Sequence, residues 1–220
     1  MRLLHVDGPV ADFHARAIPP GLDGAEVWLF TPAERALVLG SAQQESAADL
    51  ERAAAEGVSV VRRRSGGGAV YVDPAHSLWL DVIVPRGDPR WSDDVRASTY
   101  WLGEAWLRAL LAAGLDAELY RGGLESTAWG RQVCFGALGP GEVLVGGRKA
   151  VGISQRRTKD GARFQCIVYD RWDPHDVLDR LVLSDADRAR AGVDLAEVAA
   201  GVGDRLPEVR DAILAELLGS

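Results

Sequence analysis

Along this chain, apolar residues come first in short runs and later at helical spacing. Residues 26–30 and 35–40 are apolar stretches bounded by turn residues, the second following Pro32, and both predict strands. Residues 46–56 have helical composition and end at Gly57, which predicts a C-cap. Strand pattern returns at 58–61, and again at 69–72 and 78–84 on either side of a turn at Asp73-Pro74. Ser92, Asp93 and Asp94 predict the start of a long helix, since an acceptor side chain and two carboxylates suit its positive end. Leu102, Ala105, Trp106, Ala109, Leu110 and Ala113 continue it at three- and four-residue spacing, and Gly114 closes it. Further strands are predicted over 116–120, 141–145, 150–154 and 163–169, and the tail from Pro174 is helical, with breaks near Gly192 and Gly201.

Strands in the middle with helices at intervals and at the end predict an α+β fold, in which helices flank a mixed, largely antiparallel sheet. The helix over 92–114 is expected to cover one sheet face. A strict βαβ alternation is missing, so a doubly wound fold ranks second. The expected organisation is one catalytic domain over residues 1–220, with a core at about 25–180, a helical tail at 174–220 and no accessory domain.

Charge narrows the partners. The chain has 32 acidic and 25 basic residues and a net charge of -7, without the basic stripe of a general nucleic-acid binder. No window approaches 18 consecutive apolar residues, and the N-terminal segment lacks a sustained apolar stretch, so neither a membrane nor a secretory route is expected. Two cysteines fit free thiols in a reducing, cytoplasmic compartment, with a Cys134–Cys166 disulfide as the second reading. Of the 25 basic residues only Lys149 and Lys159 are lysines. A position that stays lysine in such a chain calls for a compact, flexible point charge that arginine does not supply.

Three segments carry candidate chemistry. Arg62-Arg63-Arg64-Ser65-Gly66-Gly67-Gly68-Ala69-Val70 follows a predicted strand, and its glycines let backbone N–H groups approach a ligand while arginines grip carboxylate or phosphate. It is neither a P-loop nor a dinucleotide fingerprint, and its bland alternative is a solvated hairpin. Gly146-Gly147-Arg148-Lys149-Ala150-Val151-Gly152 holds the first lysine; Thr158-Lys159-Asp160-Gly161, an expected hairpin tip, holds the second. Cys134 stands 15 residues before Lys149, close enough for the two to meet. A thiol needs nearby positive charge to react, and its alternative role is a small buried hydrophobe, as expected of Cys166. His5, His14, His76 and His175 show no metal-ligand spacing, so no metal is expected, and no Gly-x-Ser-x-Gly elbow occurs.

The two glycine-rich blocks together resemble those of the lipoate–protein ligase and octanoyltransferase family, whose catalytic fold is shared with biotin–protein ligases. The match runs over roughly residues 25 to 180. The resemblance implies substrate binding by Arg62, Arg63, Ser65, Gly66, Gly67, Gly68, Ala69, Gly147, Arg148, Gly152 and Ser154, and makes Lys149 the family's site lysine. Cys134-Phe135 looks like the nucleophile element of a cysteine-dependent octanoyltransferase branch. That branch takes an octanoyl group from acyl carrier protein through a cysteine thioester and needs no cofactor. The acceptors implied are lysines of lipoyl domains of 2-oxoacid dehydrogenases or of the glycine cleavage H protein. The ligase alternative uses ATP and Mg to form a lipoyl-adenylate, leaving Cys134 as packing, and a third reading is a non-catalytic protein that binds acylated or lipoyl partners. Two departures from the family pattern stand out: Val72 replaces a frequent histidine, and Gly141-Glu142 occupies the stretch where ligases carry Asn-Asp. The mouth of the site is expected to gather Arg62, Arg63, Arg148, Arg156 and Arg157, with an acyl slot near Val70, Leu80 and Val82.

Overall fold

The computed structural model describes residues 1–219. In chain order its elements are β1 (Arg2–Gly8), α1 (Val10–Ala15), β2 (Glu26–Pro32), β3 (Ala36–Leu39), α2 (Leu50–Ala55), β4 (Ser59–Arg62), β5 (Val70–Val72), β6 (Ser77–Pro85), α3 (Tyr100–Ala112), β7 (Ala117–Leu119), β8 (Glu125–Ser126), β9 (Ala137–Leu138), β10 (Val143–Val145), β11 (Arg148–Arg157), β12 (Gly161–Tyr169), α4 (His175–Leu178), α5 (Asp185–Val198) and α6 (Leu206–Leu218). Seven strands form the main sheet in the order β1-β2-β6-β12-β11-β10-β7, antiparallel throughout except for the parallel edge pair β1/β2. A small sheet, β4-β3-β5, packs beside it, and β8 pairs with β9. This is the mixed α+β architecture expected from the sequence.

Strand periodicity divides the sheet into two chemically different faces. On one face Leu80, Val82, Phe164, Cys166 and Val168 pack under Leu102, Trp106 and Leu110 of α3 and Val209, Ile213 and Leu217 of α6. On the other, Trp28, Trp79, Ile83 and Ile167 meet Val38, Val70 and Val72 of the small sheet together with Phe135. Asp81, Arg163 and Gln165 alternate onto that second face, all buried. Leu80 and Val82 therefore belong to the helix-covered core, and Val70 is packed, so these three residues do not form an acyl slot.

Several boundaries differ from expectation, each for a local reason. α3 starts at Tyr100, because the Asp94 carboxylate takes the backbone N–H groups of Arg96 and Ala97 at 2.8 and 3.1 Å and Ser92 only closes a turn before it. α2 starts at Leu50 with Asp49 as its cap, accepting from the Arg52 N–H at 3.0 Å. Gly192 lies inside an unbroken α5, where a Cβ would stand 2.9 Å from His175 Nε2; the glycine serves helix packing. β1 and α1, unread in the sequence, add an edge strand and bring His14 into the second face. Among the described residues no helix is long and apolar enough to cross a membrane, and both cysteines are free thiols.

Candidate functional site

The glycine block is less an open cradle than a dock for the segment that carries Cys134. The Ala69 N–H donates to Gln132 O at 2.8 Å and the Cys134 N–H to Ala69 O at 2.9 Å, so residue 69 bridges in parallel to Val133. Gly68 makes this approach possible, since a Cβ there would lie 2.6 Å from the Val133 nitrogen. Gly67 has φ +94, and a Cβ on it would stand 2.9 Å from Arg63 Nη2 and 3.4 Å from Cys134 Sγ. Guanidinium and half-buried sulfur thus both border the bare Cα of Gly67.

Arg63 is buried, and it is fixed on every side. Its Nη2 donates to Gly66 O and Gly68 O, both at 2.8 Å, its Nη1 to Val38 O at 3.2 Å and its Nε to Ser65 Oγ at 3.0 Å. Burial lowers the guanidinium pKa from its ordinary value, and Cys134 opposes that shift. Ser65 Oγ in turn donates to Gln165 Oε1 at 2.7 Å and shares a 2.9 Å bond with Ser154 Oγ, tying the loop to β11 and β12. Gln165 Nε2 faces Asp81 Oδ2 and His14 Nδ1, both at 3.2 Å, and Asp81 is ion-paired to Arg163. A chain of buried polar contacts therefore runs from Arg63, beside the thiol, to His14 on α1.

Lys149 lies on the other side of Phe135, with its side chain 3% exposed. Its Nζ donates to Cys134 O at 3.1 Å and Ala137 O at 2.8 Å, and pairs with Glu142 Oε1 at 2.8 Å. All three ammonium donors are engaged. Phe135 is stacked on Trp172 at 4.9 Å, has Lys149 Nζ 5.0 Å from its centroid, and fits because Gly152 leaves its ring room. Glu142 also accepts from the backbone N–H groups of Gly139 at 2.8 Å and Ile153 at 2.9 Å. Lys149, Phe135 and Ala137 line a cleft of about 330 Å³ closed by Glu125 and by Glu197 and Val198 of α5. The helical tail is part of the site: Ala200 N–H donates to Lys149 O at 2.9 Å.

Most sequence-predicted residues converge on these two regions, but not all. Gly147 lines the Lys149 cleft, whereas Arg148 is exposed on the turn beside it. Gly66 is exposed with nothing near its Cα face, and Arg62 lies in a separate groove with Leu39 and Gln44. Arg157 is turned away, stacked on Trp91 and donating to Ser92 O at 2.6 Å. The expected ring of Arg62, Arg63, Arg148, Arg156 and Arg157 does not form. Instead Arg16, Arg64 and Arg156 gather around a different cleft beside His14. Lys159 is exposed on the β11–β12 turn, as expected of a hairpin tip. Sequence reasoning missed Glu142, Gln165 and His14. A polar residue inside an otherwise apolar strand was the available signal for the first two.

The lipoyl protein ligase A/B catalytic domain model matches residues 15–200. The octanoyltransferase LipM of Lysinibacillus sphaericus is 30% identical over 162 residues, which is 70% of this chain and 56% of that protein. The LipM of Moorella thermoacetica is 33% identical over 123 residues, 54% of this chain and 44% of its own length. The chain thus spans about half the length of the curated relatives it matches. Among solved structures, the bi-partite lipoate protein ligase of Thermoplasma acidophilum, described with its E2 lipoyl domain, superposes with a TM-score of 0.77 at 20% identity, covering 99% of this chain and 82% of that one. Lipoate-protein ligase A bound with ATP gives 0.71 at 21% identity, over 99% and 84%. At these identities the likeness is one of fold.

Proposed function

The chain belongs to the lipoyl protein ligase A/B catalytic domain family, and from that premise we propose that it moves an octanoyl group from acyl carrier protein onto a lysine of a lipoyl-domain protein, in the cytoplasm, through a thioester on Cys134. The single observation behind this reading is the Cys134 sulfur, held over Gly67 beside the Arg63 guanidinium. Positive charge beside a thiol is what thiolate attack requires.

In the first step the Cys134 sulfur bonds to the acyl carbonyl and the carrier's sulfur leaves as a thiol, taking up the proton Cys134 gave. In the second, the acceptor amine attacks the Cys134 thioester; an amide forms, the carbon–sulfur bond breaks, and the amine's proton returns to Cys134. One thioester is exchanged for another before the amide forms, so the sequence needs no ATP. Lys149 holds the carbonyls of residues 134 and 137, which sets the turn carrying the nucleophile. The acceptors of this reading are lipoyl domains of 2-oxoacid dehydrogenases and the glycine cleavage H protein.

ATP fits the Lys149 cleft poorly. Among the described residues, Lys149 is the one cation on its lining, and it is already tied to Glu142, while Glu125 and Glu197 present carboxylates. Octanoyl-acyl carrier protein mixed with the protein should give an octanoyl adduct by intact mass, absent in Cys134→Ala. Transfer to a lipoyl domain by that variant would sink the covalent route, and ATP-dependent lipoyl transfer would establish the ligase instead.

A further inference from the structure

The second cleft, of about 80 Å³, is lined by His14, Arg16, Arg64, Arg156 and Arg163, with Asp160 and Thr158 at its edge. Its size is on the scale of a few water molecules. Arg163 is matched by the buried Asp81. Arg16 rests on the Trp28 ring at 4.6 Å and has no carboxylate partner among the described residues. The Arg64 and Arg156 side chains have no ion pair or hydrogen bond with any described residue. Arg52, Arg108, Arg121 and Arg180, by contrast, each reach a carboxylate. Three guanidiniums therefore face a single carboxylate, Asp160.

His14 supplies a second, independent indication. Gln165 Oε1 is taken by Ser65, so its amide nitrogen is the end that faces both Asp81 and His14 Nδ1. An NH₂ group donates, so Nδ1 must accept, and the neutral ring carries its proton on Nε2. That N–H is buried and has no hydrogen-bond partner among the described residues, though the residue is only 2% exposed. A buried donor left unpaired is costly, and an acceptor entering the cleft that His14 lines would satisfy it. Donor and guanidiniums together ask for an oxyanion.

We propose that this cleft is a phosphate site, in which His14 Nε2–H, Arg16, Arg64 and Arg156 hold one phosphate group. On the acyl-transfer reading above, on which this source rests, the group is the phosphodiester of the carrier protein's phosphopantetheine arm. The polar chain through Gln165 and Ser65 joins the cleft to Arg63, which borders Gly67 together with Cys134.

Calorimetric titration of the full chain with 4′-phosphopantetheine, inorganic phosphate and dephosphorylated pantetheine tests the site without any transfer step. Phosphopantetheine should bind and pantetheine should not. Arg64→Ala combined with Arg156→Ala, whose side chains have no partner among the described residues, should weaken phosphopantetheine binding about tenfold or more. Phosphate binding as tight as phosphopantetheine would keep the site and make free phosphate its ligand. No binding of either phosphate compound in the millimolar range, or equal binding by the double variant, would overturn it. Phosphate binding in a protein that forms no octanoyl adduct would refute the transfer reading alone.

Discussion

Lys149 and Glu142 form a buried ion pair at 2.8 Å, with side chains 3% and 5% exposed. Removing one member leaves the other charged in a low-dielectric wall, which typically costs about 3–5 kcal/mol. Lys149→Met should therefore destabilise the fold on that scale, and Glu142→Gln added to it should recover part of the loss, since the amide oxygen can still accept one of the two backbone bonds. Urea unfolding of both single variants and the double variant checks this. Strict additivity would show that the pair is uncoupled.

The two thiols sit in opposite environments, and their chemistry should follow. Cys134 is half-buried and lies beside Arg63, whereas burial pushes the Cys166 thiol well above its ordinary range. Iodoacetamide on the native protein should add one carbamidomethyl group, mapped to Cys134 by peptide mass. Cys134→Ala should remove that labelling and shift stability by less than about 1 kcal/mol, as the side chain is small and only partly buried. Labelling of Cys166 at a similar rate would contradict the burial argument.

Lys149 was legible because the chain's preference for arginine makes any lysine an exception, and its exposed counterpart Lys159 shows the same signal without a site. Its partner was not. Glu142 reaches Lys149 through the β10–β11 pairing, whose register shifts between Val143 and Leu144, so simple alternation misreads the faces there. Gln165 and His14 meet across 151 positions of sequence, through a helix the hydrophobic pattern did not reveal. The glycine block was found as a motif, but its main role, docking the Cys134 segment, depends on close backbone contact that no residue pattern records.

That docking makes a sharp test of the block. A Cβ at Gly68 would come within 2.6–2.8 Å of the backbone at residues 132 and 133, which cannot yield as a flexible side chain would. At Gly66 it would meet nothing within 4 Å. Gly68→Ala should lower stability by about 1–3 kcal/mol, the usual cost of overpacking, and slow Cys134 acylation. Gly66→Ala should leave both close to wild type. Thermal unfolding with the intact-mass adduct assay checks the pair, and equal behaviour of the two variants would refute the docking role.

His14 predicts how stability depends on pH. Burial first, then Arg163 and Arg63, lowers its pKa from 6.5 to about 3. The folded protein keeps the ring neutral, while the unfolded chain takes up a proton below 6.5; stability attributed to this residue is complete above that pH and lost as pH falls towards 3. At about 1.4 kcal/mol per unit, moving from pH 6.5 to 5 should cost roughly 2 kcal/mol through His14 alone. In His14→Asn the side-chain oxygen can still accept from Gln165 but does not titrate. Urea midpoints at pH 7 and pH 5 should therefore differ less in this variant than in wild type by that amount. An unchanged pH dependence would mean that His14 is protonated in the fold, and its Nε2 would then have to find the acceptor that it lacks here.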